Sequence, residues 1–312
     1  MKKKSLIIIA LLACQIIYSQ QKKIEIKYER KKDNSIVFSY KKNVPGSYYL
    51  TVKFPRLENS FSSKTYNKVA KYAAGTLFTL KPRDREKGIA FSYNFKYIIG
   101  NPNPKINTKI SYALPFKEGK SVKIIEANYL GEKYFGNNKP IDWKSFIISS
   151  KEPETVYSMR RGVVVEIVNE YQNDTKFNNS FTSKRNSIKV EHNDGTYAIY
   201  SGFDKNEIFV KLGQNIYPHT TLGKLSKFDE STYRLSFNVF HYLKNLLDDK
   251  KTTLKNRIHK TKYLNPTFYV DNTTKKIEHG KEYIVSFNEE IKLQEFSKRE
   301  KRKYKKTPEK FQ

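Results

Sequence analysis

Cysteine is nearly absent from this 312-residue chain: Cys14 is the only one. That excludes a disulfide scaffold and a cysteine-ligated zinc site. Glycine (13) and proline (11) are too few for a collagenous or low-complexity chain. Acidic residues are scarce too, 31 against 60 Lys and Arg, so the net charge is +29 and an acidic solvating protein is excluded. After residue 17 no hydrophobic run approaches the ~18 residues of a transmembrane helix. No period of 20–50 residues recurs, which argues against a solenoid. No H-E-x-x-H, P-loop, G-x-S-x-G or nucleotide-binding glycine fingerprint occurs.

What the chain does hold is aromatics, 23 Tyr and 20 Phe, enough to build cores despite a hydrophobic fraction of only 38%. Its length suits about two domains at ~150 residues each. Lys2, Lys3 and Lys4 precede an apolar run from Leu6 to Ile17, and Ser19 is a small residue at a cleavage point. Residues 1–19 therefore read as a secretory signal peptide, with an uncut N-terminal anchor as the alternative. Leu11-Leu12-Ala13-Cys14 also fits a bacterial lipoprotein site, with Cys14 the lipidated residue, although Ile16 and Ile17 continue the apolar run beyond it. The expectation is an exported protein: periplasmic, envelope-associated or extracellular, or an outer-membrane lipoprotein. Its mature charge, 57 basic against 31 acidic residues, points to an envelope surface or anionic polymer rather than to nucleic acid. The abundance of Lys, Asn and Ile is equally what AT-rich coding produces.

Residues 20–115 alternate with period two, as in Ser35-Ile-Val-Phe-Ser-Tyr40 and Tyr48-Tyr-Leu-Thr-Val-Lys-Phe54. With β-branched and aromatic residues at the alternating positions, this predicts an Ig-like β-sandwich. A second β-rich block follows over 116–290, with a core at 116–240 and further strands at 266–287. Its clearest strands are Gly162–Val168, Asn186–Glu191 and Thr196–Tyr200, the last two joined by the turn His192-Asn-Asp-Gly195. Residues 291–312 form a short basic tail, whose stretch from Lys298 to Lys306 has seven basic residues and one acid and reads as a solvated arm.

Five segments of the second block stand in a specific order. They are Tyr112-Ala-Leu-Pro-Phe, Asn128-Tyr-Leu-Gly131, Val156-Tyr-Ser-Met-Arg-Arg-Gly162, Ile188 to Tyr200, and Leu235-Ser-Phe-Asn-Val239. Over about 130 residues the block resembles the lysostaphin-type zinc endopeptidase domain, metallopeptidase family 23, which cleaves peptidoglycan cross-bridges. The resemblance implies an all-β protein: the N-terminal sandwich, then a twisted antiparallel sheet. It also implies one Zn²⁺ held by a His, an Asp and a second His, with two more His residues handling the proton and the oxyanion.

This chain departs from that pattern. Phe135 stands where the first ligand is expected, Gly202 replaces the His after the second hairpin, and Arg234-Leu235-Ser236 replaces the closing His-x-His. Asp142, in Ile141-Asp142-Trp143, is the only retained ligand candidate, and an ungapped count puts Ile147 there instead. One carboxylate does not retain catalytic zinc. None of the five histidines has ligand spacing. The expectation is a degenerate, secreted, non-catalytic relative without a cofactor, whose old cleft of Phe135, Asp142, Tyr200, Gly202, Arg234 and Ser236 binds peptidoglycan or an envelope protein. Arg234 would pair with a carboxylate there. The alternatives are an active zinc endopeptidase with different ligands, and a basic envelope adhesin or assembly component.

Overall fold

The computed structural model describes residues 23–127, 142–172, 184–243 and 261–311. Six strands come first: β1 (Ile24–Arg30), β2 (Ile36–Lys42), β3 (Tyr48–Glu58), β4 (Thr65–Ala70), β5 (Ala74–Leu80) and β6 (Ala90–Ile99). They form two antiparallel three-stranded sheets, β1-β2-β5 and β4-β3-β6. Alternation along β2 turns Ile36, Phe38 and Tyr40 inward, and β3 contributes Leu50, Val52 and Phe54 from the opposing sheet. Phe38 is the hub: it stacks on its cross-strand neighbour Phe78 at 4.9 Å and meets Phe54 edge-on at 5.4 Å. Each such pair contributes ~0.5–1.5 kcal/mol beyond area burial. The expected sandwich is present.

The second unit begins with β7 (Ser111–Ala113), β8 (Ser121–Lys123) and β9 (Ile125–Glu126). Its main sheet is built from β10 (Phe146–Ser150), β11 (Thr155–Tyr157), β12 (Gly162–Val168), β13 (Asn186–Glu191), β14 (Tyr197–Ile208), β15 (Asn215–Ile216), β16 (Thr221–Leu225), β17 (Tyr233–Tyr242) and β18 (Thr261–Tyr263). The strand order is β15-β12-β13-β14-β17-β10-β9, antiparallel throughout, with β16 joining β11 to β14 and β18 beside β17. The predicted hairpin is seen, closed by Gly195 N–H donating to the His192 carbonyl at 3.0 Å, with Gly195 at φ +86°.

One face of this sheet is dry. Phe146, Leu235, Phe237, Val239, Tyr200 and Val190 all point into it. Its cover comes from the far end of the chain. Strand β19 (Thr267–Val270) pairs parallel to β7 and antiparallel to β20 (Thr273–Lys275), and β21 (Glu282–Ile284) pairs with β8. Phe268 lies 6.0 Å from Phe146 and 6.1 Å from Phe237. The opposite face carries polar residues, as expected of an antiparallel sheet buried on one side.

The basic tail is a correction to the sequence reading. It is not a free arm: α1 (Glu289–Leu293) and α2 (Lys298–Lys306) follow β21, and Ser297 with Glu300 makes a complete capping box on α2. Phe296, Tyr304 and Phe311 gather with Tyr217, at ring separations of 5.2–6.0 Å. Arg160, 1% exposed, grips Glu295 with two bonds of 2.8 and 2.9 Å and reaches Asp194 at 3.0 Å. Arg161 adds a 2.6 Å bond to Glu300. The ring cluster formed by Phe296 before α2, Tyr304 within it and Phe311 after it, together with these ion pairs, outweighs the repulsion among the tail's lysines.

The sandwich rests on the second unit through the β2–β3 turn. Gly46 has φ +80°, and the Ser47 N–H donates to Glu191 Oε2 at 2.6 Å. A Cβ on Gly46 would come within 2.8 Å of Glu191 and Val165, so the contact requires glycine. Among the described residues no helix is long and apolar enough to cross a membrane.

Candidate functional site

The polar face of the main sheet holds the positions singled out in the sequence, and strand register fixes their relation. On β17, Arg234 and Ser236 face away from the core while Leu235 between them is fully buried. Ser236 pairs with Ser201 of β14 on one side and with Ile147 of β10 on the other, so these side chains share one face. Arg234 pairs with Ser149.

Gly202 sits at a β-bulge. Ser187 pairs with Ser201 and Asn186 with Phe203, which leaves Gly202 as the extra residue, at φ +124°. Its carbonyl accepts bonds from Ser226 N–H at 2.9 Å and Ser226 Oγ at 3.1 Å. A Cβ built on Gly202 would lie 2.2 Å from Arg185 Nη2 and 2.2 Å from the Arg234 carbonyl oxygen. The sequence reading missed Arg185. It precedes β13 by one residue and reaches across the sheet, donating to Ser236 Oγ at 3.2 Å and to the Arg234 carbonyl. Only its charge and its place beside a strand start marked it, and neither distinguishes it from many other basic residues here.

Two guanidiniums thus share this spot. Phe228 lies under both, with the Arg234 guanidinium carbon 3.6 Å and that of Arg185 5.4 Å from the ring centroid. Among the described residues neither arginine forms a salt bridge with a carboxylate. Burial and then the neighbouring Arg234 push the Arg185 guanidinium down to about 10. Burial also lowers Arg234, with Asp229 partly offsetting it. Arg234 Nε and Asn238 Oδ1, on the same strand, are buried without a hydrogen-bond partner among the described residues.

The other sequence candidates are not brought here. Tyr200 points to the opposite face, fully buried, where its hydroxyl accepts the Met159 N–H at 2.9 Å and burial raises its pKa. Asp142 lies at the far end of the sheet, accepting the Tyr263 N–H at 2.8 Å. Tyr263 pairs with Phe240, so Asp142 stands four residues along β17 from Ser236, roughly 13 Å at ~3.3 Å per residue. Ile147, the alternative at that position, is the direct neighbour of Ser236. Phe135, Cys14 and Ser19 lie outside the described residues.

The four described histidines are scattered, and His259 lies outside the described residues. His192 is buried with Nδ1 2.7 Å from the Arg161 carbonyl, and His219 is stacked between Tyr157 and Phe287 at 4.4 and 4.5 Å. His241 contacts its neighbour's carbonyl, and His279 Nδ1 accepts the Glu126 N–H. Among the described residues no three His, Cys, Asp or Glu side chains gather as a metal ion requires. The donor set around Gly202 and Ser236 does not fit zinc: it offers two cations and a hydroxyl where anionic and imidazole donors are needed.

No known protein family matches the chain by sequence, and no curated protein does. Among solved structures, the SpoIIQ–SpoIIIAH pore-forming complex is 18% identical over 42% of this chain and 83% of that chain, with a TM-score of 0.27. Helicobacter pylori Csd3 is 11% identical over 92% of this chain and 84% of its own, with a TM-score of 0.31. A zinc-containing peptidase from Vibrio cholerae is 14% identical over 69% and 74%, with a TM-score of 0.25. At these scores the likeness gives no residue correspondence, so the chemistry of the site stands on its own side chains.

Proposed function

We propose that this chain is a non-catalytic cell-envelope binding module, with a peptidase-like sheet whose polar face receives a ligand instead of a metal. The observation that carries it is Arg185. Its guanidinium lies against Gly202, Ser236 and the Arg234 carbonyl, positions where the family resemblance calls for histidines that hold the metal or handle the proton and the oxyanion. A fixed cation at that point repels Zn²⁺, and no side chain there supplies a lone pair strong enough to compensate. Peptidoglycan or an envelope protein is the partner class this reading gives.

The experiment is metal analysis by mass spectrometry on untagged protein exposed to equimolar Zn²⁺, with a peptidoglycan hydrolysis assay beside it. Less than about a tenth of an equivalent of zinc, with no hydrolysis, is expected. A full equivalent that disappears in Asp142→Asn would overturn the reading and make the chain a zinc hydrolase.

One observation favours a further role in holding anionic polymer. Helix α2 presents Lys298, Arg299, Lys301, Arg302, Lys303, Lys305 and Lys306, all exposed on a fixed scaffold. Binding through this surface falls steeply as salt rises from 50 to 500 mM and is indifferent to Arg234.

A further inference from the structure

The polar face of the sheet has an electrostatic imbalance that no described residue resolves. Arg185 and Arg234 share Phe228 as a floor and share the neighbourhood of Ser236, yet among the described residues neither has a salt-bridge partner. Other arginines withdrawn from solvent in this molecule are treated differently: the fully buried Arg160 and the largely buried Arg161 are each paired with a carboxylate. Two cations held together with no salt-bridged counter-ion among the described residues lose stability through mutual repulsion, which Asp229 offsets only in part, and an orphaned N–H such as Arg234 Nε adds a desolvation cost. A fold keeps such an arrangement where a ligand completes it.

We infer that Arg185 and Arg234, with the hydroxyls of Ser201 and Ser236, form a binding site for the free carboxylate of a peptide. This deepens the non-catalytic binding reading and rests on it.

The chemistry of the face selects a carboxylate on an organic chain. A guanidinium edge matches a carboxylate with two parallel N–H donors, and the hydroxyls on paired positions of β14 and β17 supply further donors. Phe228 lies under both guanidiniums; Arg185 already donates to Ser236 Oγ and to the Arg234 carbonyl, and no salt bridge among the described residues engages Arg234. The surround is apolar on the same face: Ile147 is the cross-strand neighbour of Ser236, and Ile199 precedes Ser201 by two residues. Inorganic phosphate would gain the charges and nothing from Ile147 or Ile199. A peptide terminus gains both, because its last side chain lies beside its carboxylate.

The test uses the full mature chain and three probes followed by NMR titration: N-acetyl-dialanine with a free carboxylate, the same compound as its C-terminal amide, and inorganic phosphate. The free acid is expected to bind, at least tenfold more tightly than the amide and more tightly than phosphate. Arg234→Gln is expected to weaken the acid at least tenfold. Arg234→Lys, which keeps the charge and loses the fork, should recover only part of that. Thermal melts of both variants establish that they fold. Equal binding of acid and amide, tighter binding of phosphate, or no binding of the acid by wild-type protein each overturns the inference. The zinc measurement separates the two readings. A chain that takes up no zinc and ignores the acid loses the carboxylate site alone. A chain that binds zinc loses the non-catalytic reading whatever the titration gives.

Discussion

The Arg185 guanidinium occupies the space that any side chain at Gly202 would enter, with Nη2 2.2 Å from where a Cβ would stand. The two residues depend on one another. Gly202 is the extra residue of the β13–β14 bulge at φ +124°, and only glycine adopts that backbone while leaving room for the arginine. Gly202→Ala is therefore expected to lower stability by ~1–3 kcal/mol, the usual range for overpacking, with a further cost from the backbone angle. A thermal melt checks this. A midpoint within a degree of wild type would show that both Arg185 and the strand carrying the Arg234 carbonyl move away at no cost.

Replacing Arg234 by methionine should act in the opposite direction. The substitution deletes one of two facing cations and the unpartnered Nε, whose burial costs ~1–3 kcal/mol. Against this stands the lost contact with Phe228, worth ~0.5–1 kcal/mol at a half-exposed position. The first effect is larger, so Arg234→Met should stabilise the ligand-free protein by about 1 kcal/mol. Salt screens the repulsion, so adding it should raise the wild-type melting temperature more than that of the variant. A variant less stable than wild type at low salt would mean that the stacking on Phe228 prevails.

The difference between Tyr200 and Arg185 shows what the sequence discloses and what it hides. Alternation over Ser35–Tyr40 marked the strand observed at Ile36–Lys42 because a half-buried strand must repeat every two residues, and His192-Asn-Asp-Gly195 marked its turn by local chemistry alone. Gly202, Arg234 and Ser236 were singled out by the family resemblance and not by alternation. Which face each residue occupies depends on register, so Tyr200 was grouped with them although it points into the core. Arg185 carries no local mark. It meets Gly202 only because a bulge brings the start of β13 against β14 and β17. The parallel pairing of β19 with β7 joins segments from opposite ends of the second unit, and the pattern of either strand is silent about its partner. In the tail, the Ser297–Glu300 capping box and the spacing of Phe296, Tyr304 and Phe311 were present, masked by the density of lysine.

Arg160 holds the C-terminal helices to the sheet. Its guanidinium is 1% exposed and is shared between Asp194, Glu295 and the Tyr112 hydroxyl. Burial alone would disfavour the charge, but these partners outweigh it and raise its pKa. Arg160→Met leaves two carboxylates without their counter-ion and should cost ~3–5 kcal/mol. The loss should be read in one place first: amide exchange over 289–306 should quicken more than exchange in β1 to β6. Uniform acceleration through both units would show that Arg160 supports the whole molecule and not this attachment.

Acid should loosen the protein in two stages. Burial, then Arg160, keeps the His192 imidazole neutral in the folded chain, well below its ordinary value of 6.5. Once unfolded, that residue takes up a proton below about 6.5, so the unfolded state binds more protons and stability falls as pH drops through that value. Glu300 adds the second stage. The bond from Arg161 is the main reason its carboxyl is held down to about 2, against 4.5 in the unfolded chain. Its contribution is complete above 4.5 and disappears as pH falls towards 2. The melting temperature should decline from pH 7.5 to 5.5 in wild type. His192→Asn, whose Nδ2 takes the place of the Nδ1 that bonds the Arg161 carbonyl, should flatten that part of the curve. The Glu300→Gln variant should keep it and change only the region below pH 4.5. A wild-type curve that is level between pH 7.5 and 5.5 would show that His192 is reached by water and free to titrate normally.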